Sequence, residues 1–307
     1  MSMAGPREHS YVVDSQGIRL DRYVAANCPE LSRTQAQKLI SDGLVRVNGA
    51  VGRASLKLNT GDRVTVTVPP SIASHPEPEA IPFGILYEDD DVLVIDKPAG
   101  LPVHPAPGHP GHTLVNAILA YLSFAPDTGD PMRPGIVHRL DMNTSGVMLV
   151  AKNQTAQADL VEQFKSHNVT KVYLVLVKGR LAPEQGVIEA PIGRDAHNRK
   201  RMAVTDGNRG RPARTRYRVV RYINDCTLLE VMPETGRTHQ IRVHLAAIGH
   251  PVVGDATYGV KSAHLSRQFL HSHRLGFRLP STGEYVEFES ALPSDLEQAL
   301  SHFSEAH

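Results

Sequence analysis

The sequence predicts an α+β (mixed α/β) protein in two parts, a small N-terminal α/β module followed by a larger domain built on a sheet. Three observations carry this reading. The chain has 307 residues, more than one core usually supports, so a large domain with a smaller attachment is expected. Residues 69–82, PPSIASHPEPEAIP, place five prolines in fourteen positions with no hydrophobic period, which reads as a linker. Beyond it, apolar runs of strand length alternate with helical patterns.

Taken in order, residues 1–17 read as a tail and 18–68 as the module. In LSRTQAQKLISDG, Ser32 is a candidate helix N-cap with Gln35 three residues on, a capping-box pattern, and Gly43 stands where the helix should stop. LVRVNGAVG offers a short strand and an Asn48-Gly49 turn, and GDRVTVTV alternates as a closing strand. From 83 to 307, strands are expected in VLVIDK, GIVHRL, VMLVAK, KVYLVLVKG, RYRVVRYI and CTLLEVM, with helices near 112–122, 155–167, 236–248 and 293–303. In the second of these helices Ala156, Leu160, Val161 and Phe164 share one face. Strand directions are not readable from pattern alone.

Composition narrows the class. Two cysteines, Cys28 and Cys226, are too few for a disulfide framework and lack C-x-x-C spacing, so a reducing, cytoplasmic setting is expected. No stretch approaches the roughly 18 apolar residues of a membrane span. The net charge of +1 is uninformative, but its distribution is not: Arg194 to Arg221 holds ten Arg or Lys against two Asp, a local +8, whereas Glu88 to Asp96 holds five acids and no base. The cationic block is either a solvated loop or the footprint of a polyanion.

The stretch HRLDMNTSG (138–146) sets Asp141 between apolar runs, where a loop residue on a sheet rim can meet a ligand. It can equally be a turn residue whose oxygens cap the amides of Asn143 and Thr144. In ETGRTHQIRVHL (234–245), Thr235 can cap a helix that places His239, Arg242, Val243 and Ala246 on one face. A buried Arg242 would call for a carboxylate, whereas a surface arginine would lay its stem along the helix.

HRLDMNTSG, KVYLVLVKG and TGRTHQIRVHL, together with DKPAGLPVHP, GHPVVGDATYG and LHSHRLGFRLPSTGE, resemble the RluA family of pseudouridine synthases, in its RluC- and RluD-like branch. The resemblance spans residues 84–290. The module, with IRLDRYVA and SRTQAQKLISDGLVRVNG, is similar to the αL RNA-binding domain first known from a small-subunit ribosomal protein. The family implies a central, largely antiparallel sheet flanked by helices, and isomerisation of uridine in RNA: the nitrogen-carbon glycosidic bond is cut, the uracil turns and a carbon-carbon bond replaces it. Substrate and product hold the same atoms, so stoichiometry requires no cofactor and no metal.

By the same resemblance Asp141 is the nucleophile, Arg242 pairs with it and favours its charged form against burial, and the ring of Tyr173 stacks on the extruded base. Arg139 is implied to hold the RNA open near the target. Further RNA contacts are expected from Arg33 and Lys38 in the module and from Arg199, Lys200 and Arg201 in the cationic block. His138, Leu140, Thr144, Gly146, Gly236, His239 and Leu245 are expected to support the site, the two glycines through tight turns, and Asp255 and Tyr258 to brace it. The implied partner is ribosomal RNA of the large subunit, with transfer RNA as the alternative, and the implied state is a monomer. Two rival readings stand beside this one. A metal hydrolase would use His138, His239, His244, His271 and His273 with Asp141 or Asp255, although histidines at i and i+5 do not share a helix face and Arg242 between them repels a cation. An RNA-binding assembly factor would keep the fold without catalysis.

Overall fold

The computed structural model describes the chain except residues 1–6, 29–30, 32, 69–75, 107–108, 124–125, 127–132, 197, 199–200, 207–208, 260 and 306–307. Two compact units divide it, Met1–His75 and Pro76–His307.

The first unit runs β1 (Arg7–Val12), α1 (Leu20–Asn27), α2 (Arg33–Ser41), β2 (Val45–Val47), β3 (Ala50–Val51) and β4 (Arg63–Val68). Its sheet has the order β1-β4-β2-β3. The predicted tail is therefore corrected: Arg7–Val12 pairs antiparallel along all of β4, from Arg7↔Val68 to Val12↔Arg63. The strand lies at a sheet edge and buries little of its length, so its REHSYV composition carries no apolar period. Apolar residues of α1 and α2, among them Leu20, Val24, Ala36 and Ile40, close over Val45, Val64 and Val66 of the sheet. Asn48 and Gly49 have φ of 49° and 84°, the left-handed pair that a two-residue hairpin needs. Gly43 (φ 73°) follows α2, as a C-terminal glycine should. Ser32, the expected cap, lies outside the described residues.

The second unit runs β5 (Gly84–Glu88), β6 (Val92–Lys97), α3 (Leu114–Leu122), β7 (Ser145–Ala151), α4 (Gln154–Lys165), β8 (Thr170–Lys178), β9 (Gln185–Glu189), β10 (Ile192–Arg194), β11 (Met202–Val204), β12 (Arg214–Ile223), β13 (Cys226–Pro233), α5 (Gln240–Ala247), β14 (Leu270–Arg278), β15 (Tyr285–Glu289) and α6 (Ser294–Glu305). A nine-stranded sheet has the order β5-β6-β7-β14-β8-β13-β12-β9, with β15 also on β14, while β10 and β11 form a separate hairpin. Every named pairing is antiparallel except β14 with β7. β7 is buried at all seven positions, which is why VMLVA reads as a continuous apolar run. The stretch before β5 is no free spacer: Asn116 Nδ2 donates to the Glu77 carbonyl at 2.7 Å, and the Glu79 amide donates to the Asn116 carbonyl at 3.0 Å.

Three local expectations change. GIVHRL is not a strand; it touches β7 through a single bridge, Ile136↔Val150. The reason is His138, whose Nε2 accepts the Leu149 amide at 2.9 Å and so replaces the carbonyl a ladder partner would offer. Val161 is 44% exposed while Ala156 and Leu160 are buried, so the buried stripe of α4 is narrower than its apolar pattern. The helix expected over 236–248 starts only at Gln240, and Thr235 bonds the Gln240 side chain instead of capping the helix.

Candidate active site

Asp141 opens the turn that leads into β7, and the turn is closed by the Thr144 amide donating to the Asp141 backbone carbonyl at 3.0 Å. The carboxylate is thus not consumed as a turn cap. Buried side chains from other segments fix the residues that follow. Lys97 Nζ, at the end of β6, donates to the carbonyls of Met142 (3.1 Å), Pro98 (2.8 Å) and Leu101 (2.8 Å). Burial pushes this lysine down to about 7, with the charge of Asp141 opposing the shift. Arg267 donates to the Asn143 carbonyl at 3.1 Å while Asp295, at the start of α6, holds its other nitrogens at 2.6 and 3.0 Å. Gln268 Nε2 reaches Thr144 Oγ1 at 3.4 Å.

Arg242 projects from α5 and serves two acids. Its Nη1 donates to Asp141 Oδ2 at 2.9 Å, and its Nε and Nη2 donate to Asp255 at 2.7 and 2.8 Å. Burial works against the guanidinium, but the two carboxylates raise it above the ordinary arginine value. Burial likewise pushes the Asp255 carboxyl up, yet Arg242 and the amides of Thr257 and Tyr258 bring it below its ordinary value. The bidentate pair with Asp255 aims the third nitrogen at Asp141. Asp141 therefore receives an oriented cation from a helix one hundred residues away in sequence.

Asp141, Arg242 and Tyr173 line one cavity of about 510 Å³. Tyr173 sits mid-strand in β8, across from Val231 of β13 and Ser272 of β14, and burial pushes its phenol up to about 12. Its ring is a fixed apolar wall with a neutral hydroxyl. The cavity is also lined by Arg139, Lys165, His167, Lys171 and Arg237, with Asp141 as its acid. A pocket lined by several cations around a single carboxylate suits a polyanionic substrate.

Compared with known proteins, residues 91–247 match the family model described as RNA pseudouridylate synthase, and residues 18–64 match that of the S4 domain. The RNA pseudouridine synthase YlyB of Bacillus subtilis (strain 168) is 46% identical over 288 residues, covering 94% of each chain. The chain belongs to the RNA pseudouridine synthases. The synthase is also 41% identical to the ribosomal large subunit pseudouridine synthase D of Zymomonas mobilis, over 92% of each chain. Among solved structures, human RNA pseudouridylate synthase domain containing 1 superposes with a TM-score of 0.57 at 28% identity, over 74% of this chain and 97% of that one. It is an isomerase, and the S4 match on the module supports RNA as its partner.

The remaining expected residues fall into distinct places in the synthase. His138 stacks on Phe164 at 4.6 Å between ring centroids, and burial pushes it down to about 3, so it is a neutral acceptor. Leu140 and Leu245 are buried in the core, where a leucine contributes about 1.5–3 kcal/mol. Gly146 has φ of 110°, and a Cβ there would strike the Ser272 carbonyl across the parallel β7–β14 contact. Gly236 is different: it has an ordinary φ and open space around it, so no tight turn depends on it. His239 is left-handed (φ 57°) at the start of α5 and lines the cavity.

Of the expected RNA contacts, Arg139 is exposed at the cavity and Lys38 is exposed on α2. Arg33 is committed within the module, donating from Nε and Nη2 to the buried Asp21 at 3.1 and 2.9 Å. Arg201 stacks over Tyr258 at 5.1 Å, and Arg199 and Lys200 lie outside the described residues. The cationic block is less cationic in three dimensions. Arg214 and Arg216 of β12 both pair with Glu234, Arg218 pairs with Glu230, and Arg209 pairs with Asp206.

The histidines of the rival metal reading are each engaged by hydrogen bonds: His138 with the Leu149 amide, His244 with Thr215, His271 with Ser145, and His271 and His273 together with the Ser290 carbonyl. Sequence reasoning passed over Lys171, which lines the cavity and is pushed down to about 8 by burial, Glu234 opposing. Its position two residues before Tyr173 on one strand was the available signal. Nothing in the sequence marked Arg267.

Proposed function

We propose that the synthase converts specific uridines of large-subunit ribosomal RNA to pseudouridine, with Asp141 as nucleophile and without a cofactor. The observation that carries this reading is the 2.9 Å contact between Arg242 Nη1 and Asp141 Oδ2 inside the cavity shared with Tyr173. The guanidinium holds one carboxylate oxygen in place and leaves the other to attack. Detachment of uracil leaves a fragment that must be retained while it turns. Tyr173, which lines the cavity, supplies the stacking surface for this, worth about 1–3 kcal/mol per base. Arg139, exposed at the cavity, is placed to hold an opened RNA strand. The ribosomal target is supported by relatives in Zymomonas mobilis, Nitrosomonas europaea and Neisseria meningitidis, whose names specify the ribosomal large subunit. The synthase acts as a monomer in the cytoplasm, where that RNA is made.

Pseudouridine maps of ribosomal and transfer RNA from cells lacking the gene, compared with cells in which it is restored, test this. Discrete large-subunit positions should lose the modification and regain it with the parent chain. Loss confined to transfer RNA would contradict the assigned target, and unchanged maps would contradict the activity.

A further inference from the structure

His239 has a proton arrangement that the reading above leaves unused. Its Nδ1 lies 2.8 Å from the Tyr258 hydroxyl oxygen, and that oxygen also accepts the Met202 amide at 2.8 Å. Met202 N–H is a donor only, so the tyrosine's own proton is available for one partner, and His239 Nδ1 is the atom in place to accept it. If Nδ1 carried the imidazole proton instead, the half-buried hydroxyl would accept twice while its own hydrogen lost this partner, a costly arrangement. The network therefore puts the histidine proton on Nε2. Burial holds His239 below the ordinary histidine value, with Asp141 opposing, which keeps the ring neutral.

Nε2 lies 3.9 Å from Asp141 Oδ1, the carboxylate oxygen that Arg242 does not hold. The left-handed backbone at His239 is an uncommon conformation for a residue with a side chain, and such strain gathers at functional sites. The Tyr258 ring also meets two guanidiniums, Arg201 at 5.1 Å and Arg242 at 5.0 Å from its centroid.

We propose that His239, locked by Tyr258 as the Nε2–H tautomer, is a positioning residue that donates to Asp141 Oδ1 once substrate closes the gap, so that both carboxylate oxygens are oriented. An oxygen with two lone pairs gives one to this bond and keeps the other for attack. The proposal rests on Asp141 being the nucleophile.

The test uses the full chain with 15N-labelled histidine. Long-range proton–nitrogen correlation spectra of the parent, assigned by the signal lost in His239→Asn, should show Nε2 protonated and Nδ1 bare. Tyr258→Phe keeps the stacked ring and removes the hydroxyl, and should release the imidazole into a mixture of tautomers. In turnover of an RNA that the parent modifies, His239→Asn should lower kcat about tenfold to a hundredfold, the worth of one hydrogen bond to a charged group, with KM nearly unchanged, and Tyr258→Phe should lower it by the smaller factor that its remaining Nε2–H fraction sets. His239→Gln, whose amide reaches the Nε2 position, should retain most of the parent kcat. Asparagine tolerates the left-handed backbone better than glutamine, so a purely structural role reverses that order. An Nδ1–H parent, or His239→Asn matching or exceeding His239→Gln, overturns the proposal while leaving Asp141 untouched. An active Asp141→Asn assayed alongside would instead remove the nucleophile and, with it, the purpose of the donor.

Discussion

Arg242 shows how one side chain can be bound for stability and aimed for chemistry. Its bidentate pair with Asp255 neutralises a fully buried acid, and breaking such a pair costs about 3–5 kcal/mol because the remaining charge is stranded. The third nitrogen goes to Asp141. Two other residues offer cleaner stability tests. Gly146→Ala should destabilise the synthase by at least about 2 kcal/mol, since its φ of 110° and the Ser272 carbonyl both exclude a Cβ; an unchanged urea midpoint would contradict the close approach. His138 sits near 3 against an ordinary 6.5. Between those values the unfolded chain binds a proton that the folded chain does not, so stability falls as pH drops from about 6.5 toward 3. His138→Gln keeps an acceptor for the Leu149 amide and should flatten that part of the melting-temperature curve. At this scale Asp141, Tyr173 and Arg242 were legible because each sits in a distinctive motif. Whether the Asp141 carboxylate caps its own turn was not resolvable in sequence, because it depends on whether the backbone carbonyl or the carboxylate accepts the Thr144 amide.

At the scale of elements, the turn that carries Asp141 is held from a distance. α6 is about 150 residues from Asp141 in sequence, yet Asp295 at its start fixes Arg267, which in turn bonds the Asn143 carbonyl. Asp295→Asn leaves α6 anchored by the buried Leu296 and Ala299 and weakens the grip on Arg267. It should lower kcat by up to about tenfold while KM for RNA stays near the parent value, since the loss of one charge-assisted bond acts through Asp141 geometry. A parallel rise in KM would show instead that α6 serves RNA binding. This coupling was illegible, as no local pattern links a loop arginine to a helix start. The missed β1 and the false strand at 135–140 have related causes: an edge strand needs no apolar period, and an apolar triplet next to a histidine can give its partner a ring nitrogen in place of a backbone carbonyl. The central strands β7 and β13 were legible because burial on both faces leaves continuous apolar runs, as it does in the second half of β8.

For the whole molecule, the division into Met1–His75 and Pro76–His307 separates a module with its own core from the sheet that carries the cavity. Deleting residues 1–75 should leave the second unit folded, with near-parent secondary structure, and weaken RNA affinity or broaden the choice of sites. Unchanged affinity and site pattern would remove that role from the module. The local +8 that sequence assigned to residues 194–221 does not survive as a phosphate track of that strength, because Glu230 on β13 and Glu234 just past its end take up three of its arginines. The cations that surround the cavity are drawn from several elements, and only folding gathers them. The most direct measurement of the central claim is isomerisation by purified Asp141→Asn on an RNA that the parent modifies, with binding to the same RNA measured in parallel. The amide keeps the shape of the acid and cannot attack, so pseudouridine should fall below detection while affinity stays near that of the parent; turnover at the parent rate would contradict the account.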